Sequence, residues 1–107
     1  MNDLSFSYRV KEIIKSVPRG YVATYGQIAL QAGHPKGARL VSYILHSCSE
    51  KYDLPWHRII NQKGMISLKK GYGYEIQYEL LKEEGVQFND NTSINLDKYG
   101  WKFEINK

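Results

Sequence analysis

Thr24-Tyr25-Gly26-Gln27-Ile28-Ala29, followed by His34-Pro35-Lys36-Gly37-Ala38-Arg39-Leu40-Val41, is the stretch on which the fold of this chain turns. Thr24 with Gln27 three residues on is a capping-box pattern, in which each side chain satisfies a free amide of the first helical turn. Tyr25, Ile28, Ala29 and Ala32 follow at i, i+3, i+4 and i+7, one buried helix face. Gly33 ends that helix. His34-Pro35 then opens a third helix over about residues 36–46, with Pro35 tolerated near its first position. Two helices joined by a tight glycine-containing turn outline a helix-turn-helix. In the later helix Val41, Ile44 and Leu45 point inward. Lys36, Arg39, Tyr43 and His46 form a second stripe that can touch DNA, and Gly37, Ala38 and Ser42 are small enough to let the backbone approach a groove. An ordinary solvated helix face carries the same pattern, and periodicity alone does not separate the two.

Working outward, residues 5–16 place Phe6, Val10, Ile13 and Ile14 at helical spacing, and Val17-Pro18-Arg19-Gly20 stops that first helix. On the other side, Arg58-Ile59-Ile60 and Met65-Ile66-Ser67 flank Asn61-Gln62-Lys63-Gly64, which predicts a short β-hairpin. A hairpin after a helix-turn-helix is a wing. A glycine-tyrosine loop runs from Lys69 to Tyr74, and a fourth helix over residues 74–84 is expected to bury Ile76, Leu80 and Leu81 and to close at Gly85. Ile94, Leu96, Tyr99, Trp101 and Phe103 make the tail too apolar to float free, so it should pack on the body. The predicted class is mainly α with a small β-hairpin wing, a winged helix-turn-helix.

At 107 residues the chain suits one domain with one core. A hydrophobic fraction of 42% against 24% charged residues argues against disorder. No apolar run approaches the roughly 20 residues that span a bilayer, so no membrane association is expected. The N-terminus lacks the order of a signal peptide. A single cysteine, Cys48, excludes an internal disulfide and a multi-cysteine zinc site, which makes a reducing cytoplasm the expected compartment. The net charge of +4 is concentrated: Lys36, Arg39, Lys51, Arg58, Lys63, Lys69 and Lys70 stand against only Glu50 and Asp53 in that span. A basic middle segment suits a polyanion, although a merely soluble basic protein has the same balance.

Val17-Pro18-Arg19-Gly20 with Thr24-Tyr25-Gly26-Gln27-Ile28-Ala29, then Gly37-Ala38-Arg39-Leu40-Val41, Pro55-Trp56-His57-Arg58-Ile59-Ile60 and Leu80-Leu81-Lys82-Glu83-Glu84-Gly85 form an ordered series. In that order and spacing the series resembles the O6-alkylguanine-DNA alkyltransferases, specifically their cysteine-lacking, alkyltransferase-like branch. The resemblance runs from about residue 17 to 85. The N-terminal domain of many full alkyltransferases is not expected, apart from the first helix and its lead-in.

By that resemblance Trp56 stands where active members hold the cysteine that accepts the alkyl group. An indole cannot do what a thiolate does, so no transfer is expected and no catalytic residue is assigned. Arg39 and Tyr25 carry over as the pair that handles a flipped nucleotide, Arg39 entering the base stack and Tyr25 pressing on the backbone phosphate, with the helix in the minor groove. Trp56 would wall the lesion pocket with an apolar, polarizable face. Pro55 belongs to the same motif. His57 and Glu84, which in active members draw the proton from the cysteine, would persist as architecture, and Arg58 would brace the site by bonding backbone carbonyls. The loop from Leu68 to Tyr74, with Lys69, Lys70, Gly71 and Tyr72, would form the far wall, with either lysine able to meet the base or its phosphate.

Cys48 occupies the place where the family usually has an asparagine that hinges the recognition helix to the active strand. That raises a residual enzyme, with Cys48 as alkyl acceptor or with a base-directed hydrolysis activity, against the plainer reading of a small packing residue. A sequence-specific winged-helix regulator is a third reading. The resemblance implies a non-enzymatic sensor of O6-alkylguanine in duplex DNA, requiring no cofactor or metal. It would act as a monomer at the nucleoid or in the nucleus and signal to nucleotide excision repair proteins.

Overall fold

The computed structural model describes residues 5–103. Its elements are α1 (Phe6–Lys15), β1 (Ala23–Thr24), α2 (Tyr25–Gln31), α3 (Ala38–Tyr52), a single 3-10 turn at Trp56–Arg58, β2 (Ile59–Ile60), α4 (Tyr74–Glu83) and α5 (Leu96–Tyr99). Local chemistry starts these helices. The Ser5 hydroxyl accepts the Tyr8 amide at 3.2 Å to begin α1. At α2 the capping box is complete: Thr24 Oγ1 accepts the Gln27 amide at 3.1 Å and Gln27 Oε1 accepts the Thr24 amide at 2.9 Å. Gln27 has a third bond, its Nε2 donating to the Trp101 carbonyl at 3.0 Å, so the cap also ties down the tail.

The turn between α2 and α3 is longer than expected. His34 N–H bonds the Ala29 carbonyl at 2.9 Å and Gly33 N–H that of Leu30 at 3.0 Å, with Gly33 left-handed at φ +91°. This is a Schellman closure of α2. Pro35 and Lys36 then lie in a turn closed by Gly37 N–H to His34 O at 2.8 Å, and α3 begins at Ala38. Lys36 therefore precedes the helix whose stripe it was expected to share. At its other end α3 runs past His46, because no glycine or proline intervenes before Asp53 takes the left-handed conformation at φ 53°.

The hairpin wing gives way to a parallel pair. Ala23 and Thr24 are in register with Ile59 and Ile60. Residues 61–65 fold into a tight knot instead of a ladder: Asn61 Oδ1 accepts the amides of Lys63 at 2.9 Å and Met65 at 3.0 Å, and Asn61 N–H donates to Met65 O. After that asparagine turn Met65–Ser67 form no strand, and the Ile94 N–H donates to the Gly64 carbonyl at 2.8 Å. The tail adds to the other edge, with Val22 N–H to Tyr99 O at 2.8 Å and Trp101 N–H to Val22 O at 2.7 Å.

This small sheet partitions the interior. Its side chains alternate, as a strand requires. Ala23 and Ile59 join a cluster with Val10, Ile14, Ile28, Val41 and Leu45, which holds α1, α2 and α3 together. Val22 and Ile60 join a second cluster with Leu81, Val86 and Ile94, which fastens α4 and the tail. Each fully buried aliphatic side chain is worth about 1.5–3 kcal/mol relative to exposure. The inward stripe of α4 is Gln77 and Leu81, at i and i+4. Ile76, expected inside, is 60% exposed, because it lies about 100° round the helix from that stripe.

Candidate functional site

Glu84 follows α4 and is the hub of a polar network. Its side chain is 5% exposed. It accepts the Gly20 amide at 3.1 Å, His57 Nε2 at 2.7 Å, and Arg58 through Nε at 3.0 Å and Nη2 at 2.8 Å. Because a carboxylate only accepts, His57 Nε2 carries the proton. Arg58 Nη1 donates to the Val17 carbonyl at 2.9 Å, the kind of contact expected of it, although its main partner is the carboxylate. Burial pushes the Glu84 carboxyl up, but the Arg58 and His57 hydrogen bonds, the Gly20 amide and the nearby His57 outweigh it and hold it at about 2. This network clamps the Trp56–Arg58 turn to the end of α4 and to the Val17–Gly20 corner.

Beside it lies a cleft of about 310 Å³. One wall is the recognition unit: Tyr25 of α2, and Ser42, Leu45, His46 and Ser49 of α3. Trp56 also lines the cleft, and Ser67, Leu68, Tyr72, Gly73 and Gln77 complete the far side. Trp56 is half-buried and packs against the α1–α3 core, so the indole is at once a core residue and a cleft wall. The Tyr25 hydroxyl lies 3.2 Å from Ser67 Oγ, joining the two walls. Gln77, 2% exposed, donates its Nε2 to the carbonyls of His57 and Ile59, both at 3.0 Å, and so locks α4 to the strand that carries the site.

Other residues singled out from the sequence fall outside this cleft. Arg39 and Tyr43 stand exposed on α3, Tyr43 at 69%. Lys36 is exposed in the preceding turn and Ala38 is half-buried. Gly37 is buried, and an added Cβ would sit 2.7 Å from His34 Cδ2 and 3.1 Å from Phe6 Cζ, so its missing side chain serves packing rather than a groove. Pro55, half-buried, precedes the 3-10 turn. Lys69, Lys70 and Gly71 are exposed in the far loop without lining the cleft. Lys70 Nζ lies 5.8 Å over the Tyr74 ring, and the Gly71 amide is held by the Glu75 carboxylate at 3.0 Å. Cys48 packs half-buried against the α1–α3 core and does not line the cleft.

Sequence reasoning missed Leu45, Ser49, Ser67 and above all Gln77 as wall residues. The signal for Gln77 was its place four residues before Leu81, which a search for apolar positions passes over. A larger, open hollow of about 540 Å³ lies between Tyr78, Lys82 and Phe88 and shares no wall with Trp56. Among the described residues no group of three or more His, Cys, Asp or Glu side chains could hold a metal ion.

Residues 5–86 match the family described as 6-O-methylguanine DNA methyltransferase, DNA binding domain. The chain is 41% identical over 99 residues to the DNA base-flipping protein of Escherichia coli, covering 92% of this chain and 76% of that one. It is 35% identical over 102 residues to Alkyltransferase-like protein 1 of Schizosaccharomyces pombe, covering 91% and 94%. The fold is similar, with a TM-score of 0.82 and 34% identity over 95% of this chain and 99% of the other, to S. pombe Atl1 crystallised with damaged DNA containing O6-carboxymethylguanine.

Proposed function

This chain belongs to the family of the 6-O-methylguanine DNA methyltransferase DNA-binding domain, in its alkyltransferase-like branch, and from that premise we propose that it is a non-enzymatic sensor of O6-alkylguanine in duplex DNA. The observation that carries the reading is Trp56 in the wall of a cleft roomy enough for a purine base, beside an intact His57–Glu84 pair, with Cys48 outside that cleft. An aromatic wall accepts an alkylated base, and base–aromatic contact is worth about 1–3 kcal/mol. No thiol lines the cleft to take the alkyl group.

In this reading Arg39, exposed near the start of α3, enters the base stack, where a planar guanidinium fills the gap left by the flipped nucleotide. Tyr25 guides the nucleotide past Ser67 into the cleft. Lys36, Tyr43, Lys69 and Lys70 meet the phosphate backbone. The protein acts at the chromosome as a monomer. A lesion that is held and not consumed must be passed on, which supports nucleotide excision repair as the downstream partner; cells lacking the excision nuclease should then gain no protection from this protein.

Incubation with duplex carrying a labelled O6-methyl group should give a stable complex and no label on the protein. Label transfer, with a matching rise in protein mass, would sink the reading in favour of Cys48. Affinity that followed base sequence and ignored the lesion would favour a sequence-specific regulator.

A further inference from the structure

Gln77 presents an atom that neither the fold nor the flipping machinery uses. Its Nε2 is spent on the His57 and Ile59 carbonyls, and the reverse assignment would set Oε1 against two acceptors, so the amide orientation is fixed. Oε1 has no hydrogen-bond partner among the described residues, yet no described side-chain nitrogen or oxygen is sealed from solvent while unpaired. Gln77 is 2% exposed, and the space it borders is the cleft. A buried helix residue thus offers one oriented acceptor to whatever fills that space.

We propose that Gln77 Oε1 is a specificity determinant that accepts a hydrogen bond from the exocyclic 2-amino group of the flipped base. Alkylation at O6 removes the N1 proton of guanine, so N1, N3 and N7 are all acceptors and the 2-amino group is the base's remaining N–H donor. Water satisfies Oε1 while the cleft is open. Once a base displaces that water, only an amine restores the bond, and a base without one leaves the oxygen dry and unpaired. A site built around such a bond discriminates strongly against the analogue that lacks the group.

The inference rests on the lesion-binding reading, and one titration separates the two. Duplexes carrying a single O6-methylguanine, O6-methylhypoxanthine or guanine are titrated at fixed salt with wild type, Gln77→Lys and Gln77→Met. Lysine keeps a donor for the two carbonyls and removes the acceptor; methionine fills the volume and removes both. Wild type should bind O6-methylguanine about tenfold or more tightly than O6-methylhypoxanthine, and the ratio should collapse several-fold in either variant that folds. An unchanged ratio in the variants, or a wild type that treats the two lesions alike, overturns the assignment. Failure of the lesion-binding reading looks different, because wild type would then bind the O6-methylguanine and guanine duplexes equally, and the Gln77 assignment would fall with it.

Discussion

Arg39 stands exposed near the start of α3, whereas Glu84 is almost wholly enclosed after α4, and substitution of each should act on a different property. We expect Arg39→Ala to weaken lesion binding about tenfold or more while leaving the thermal midpoint unchanged, since no packing is lost. Unfolding by that variant would contradict the stacking role. Glu84→Gln should instead destabilise the fold by about 3 kcal/mol, because it leaves Arg58 without its charged partner. The same carboxylate sets an acid limit. Its folded value of about 2 lies below the ordinary 4.5, so its contribution is complete above pH 4.5 and is lost as pH falls toward 2. That contribution is on the order of 3 kcal/mol. Denaturant titrations from pH 6 to pH 2 should show this limb in wild type and a flatter one in Glu84→Gln.

At the scale of elements, what could be read from the sequence was what is decided locally. Thr24 and Gln27 sit three residues apart, so their capping box was legible and is present. The same holds for the Ser5–Ser16 helix ends and the Gly33 and Gly85 stops. The partner of β2 was not legible. Arg58-Ile59-Ile60 followed by a glycine turn has the local signature of a hairpin, but β1 lies far back in the chain and the choice depends on which face of the pair closes each core. Ile76 failed for a related reason: the inward stripe of α4 is fixed by Gln77 bonding the strand, and helical periodicity does not count a glutamine as core. Gly37 gives an element-level test. Gly37→Ala should crowd His34 and Phe6 at the α1–α3 junction and cost about 1 kcal/mol in a thermal melt, without changing the relative preference for damaged DNA.

Over the whole molecule, the two clusters meet at the β1–β2 pair, and the cleft opens on the α3 side of that seam. One cluster holds the recognition unit together with Trp101 and Phe103, and the other holds α4 with Val86, Phe88, Ile94, Leu96 and Tyr99. Glu84 and Gln77 tie α4 to the 56–60 segment across that seam, and Gln27 ties α2 to Trp101 of the tail. The Gln77 and Gln27 bonds leave no pattern in the sequence, so the motifs identified Trp56, the far loop and the His57–Glu84 pair, while Leu45, Ser49, Ser67 and Gln77 came only from the structure. The most direct measurement is affinity, at one fixed salt concentration, for a duplex with a single O6-methylguanine beside the same duplex with guanine, followed by recovery and analysis of the DNA. We expect much tighter binding to the damaged duplex and quantitative return of intact O6-methylguanine. Equal affinities, or a recovered base without its methyl group, would contradict recognition without transfer.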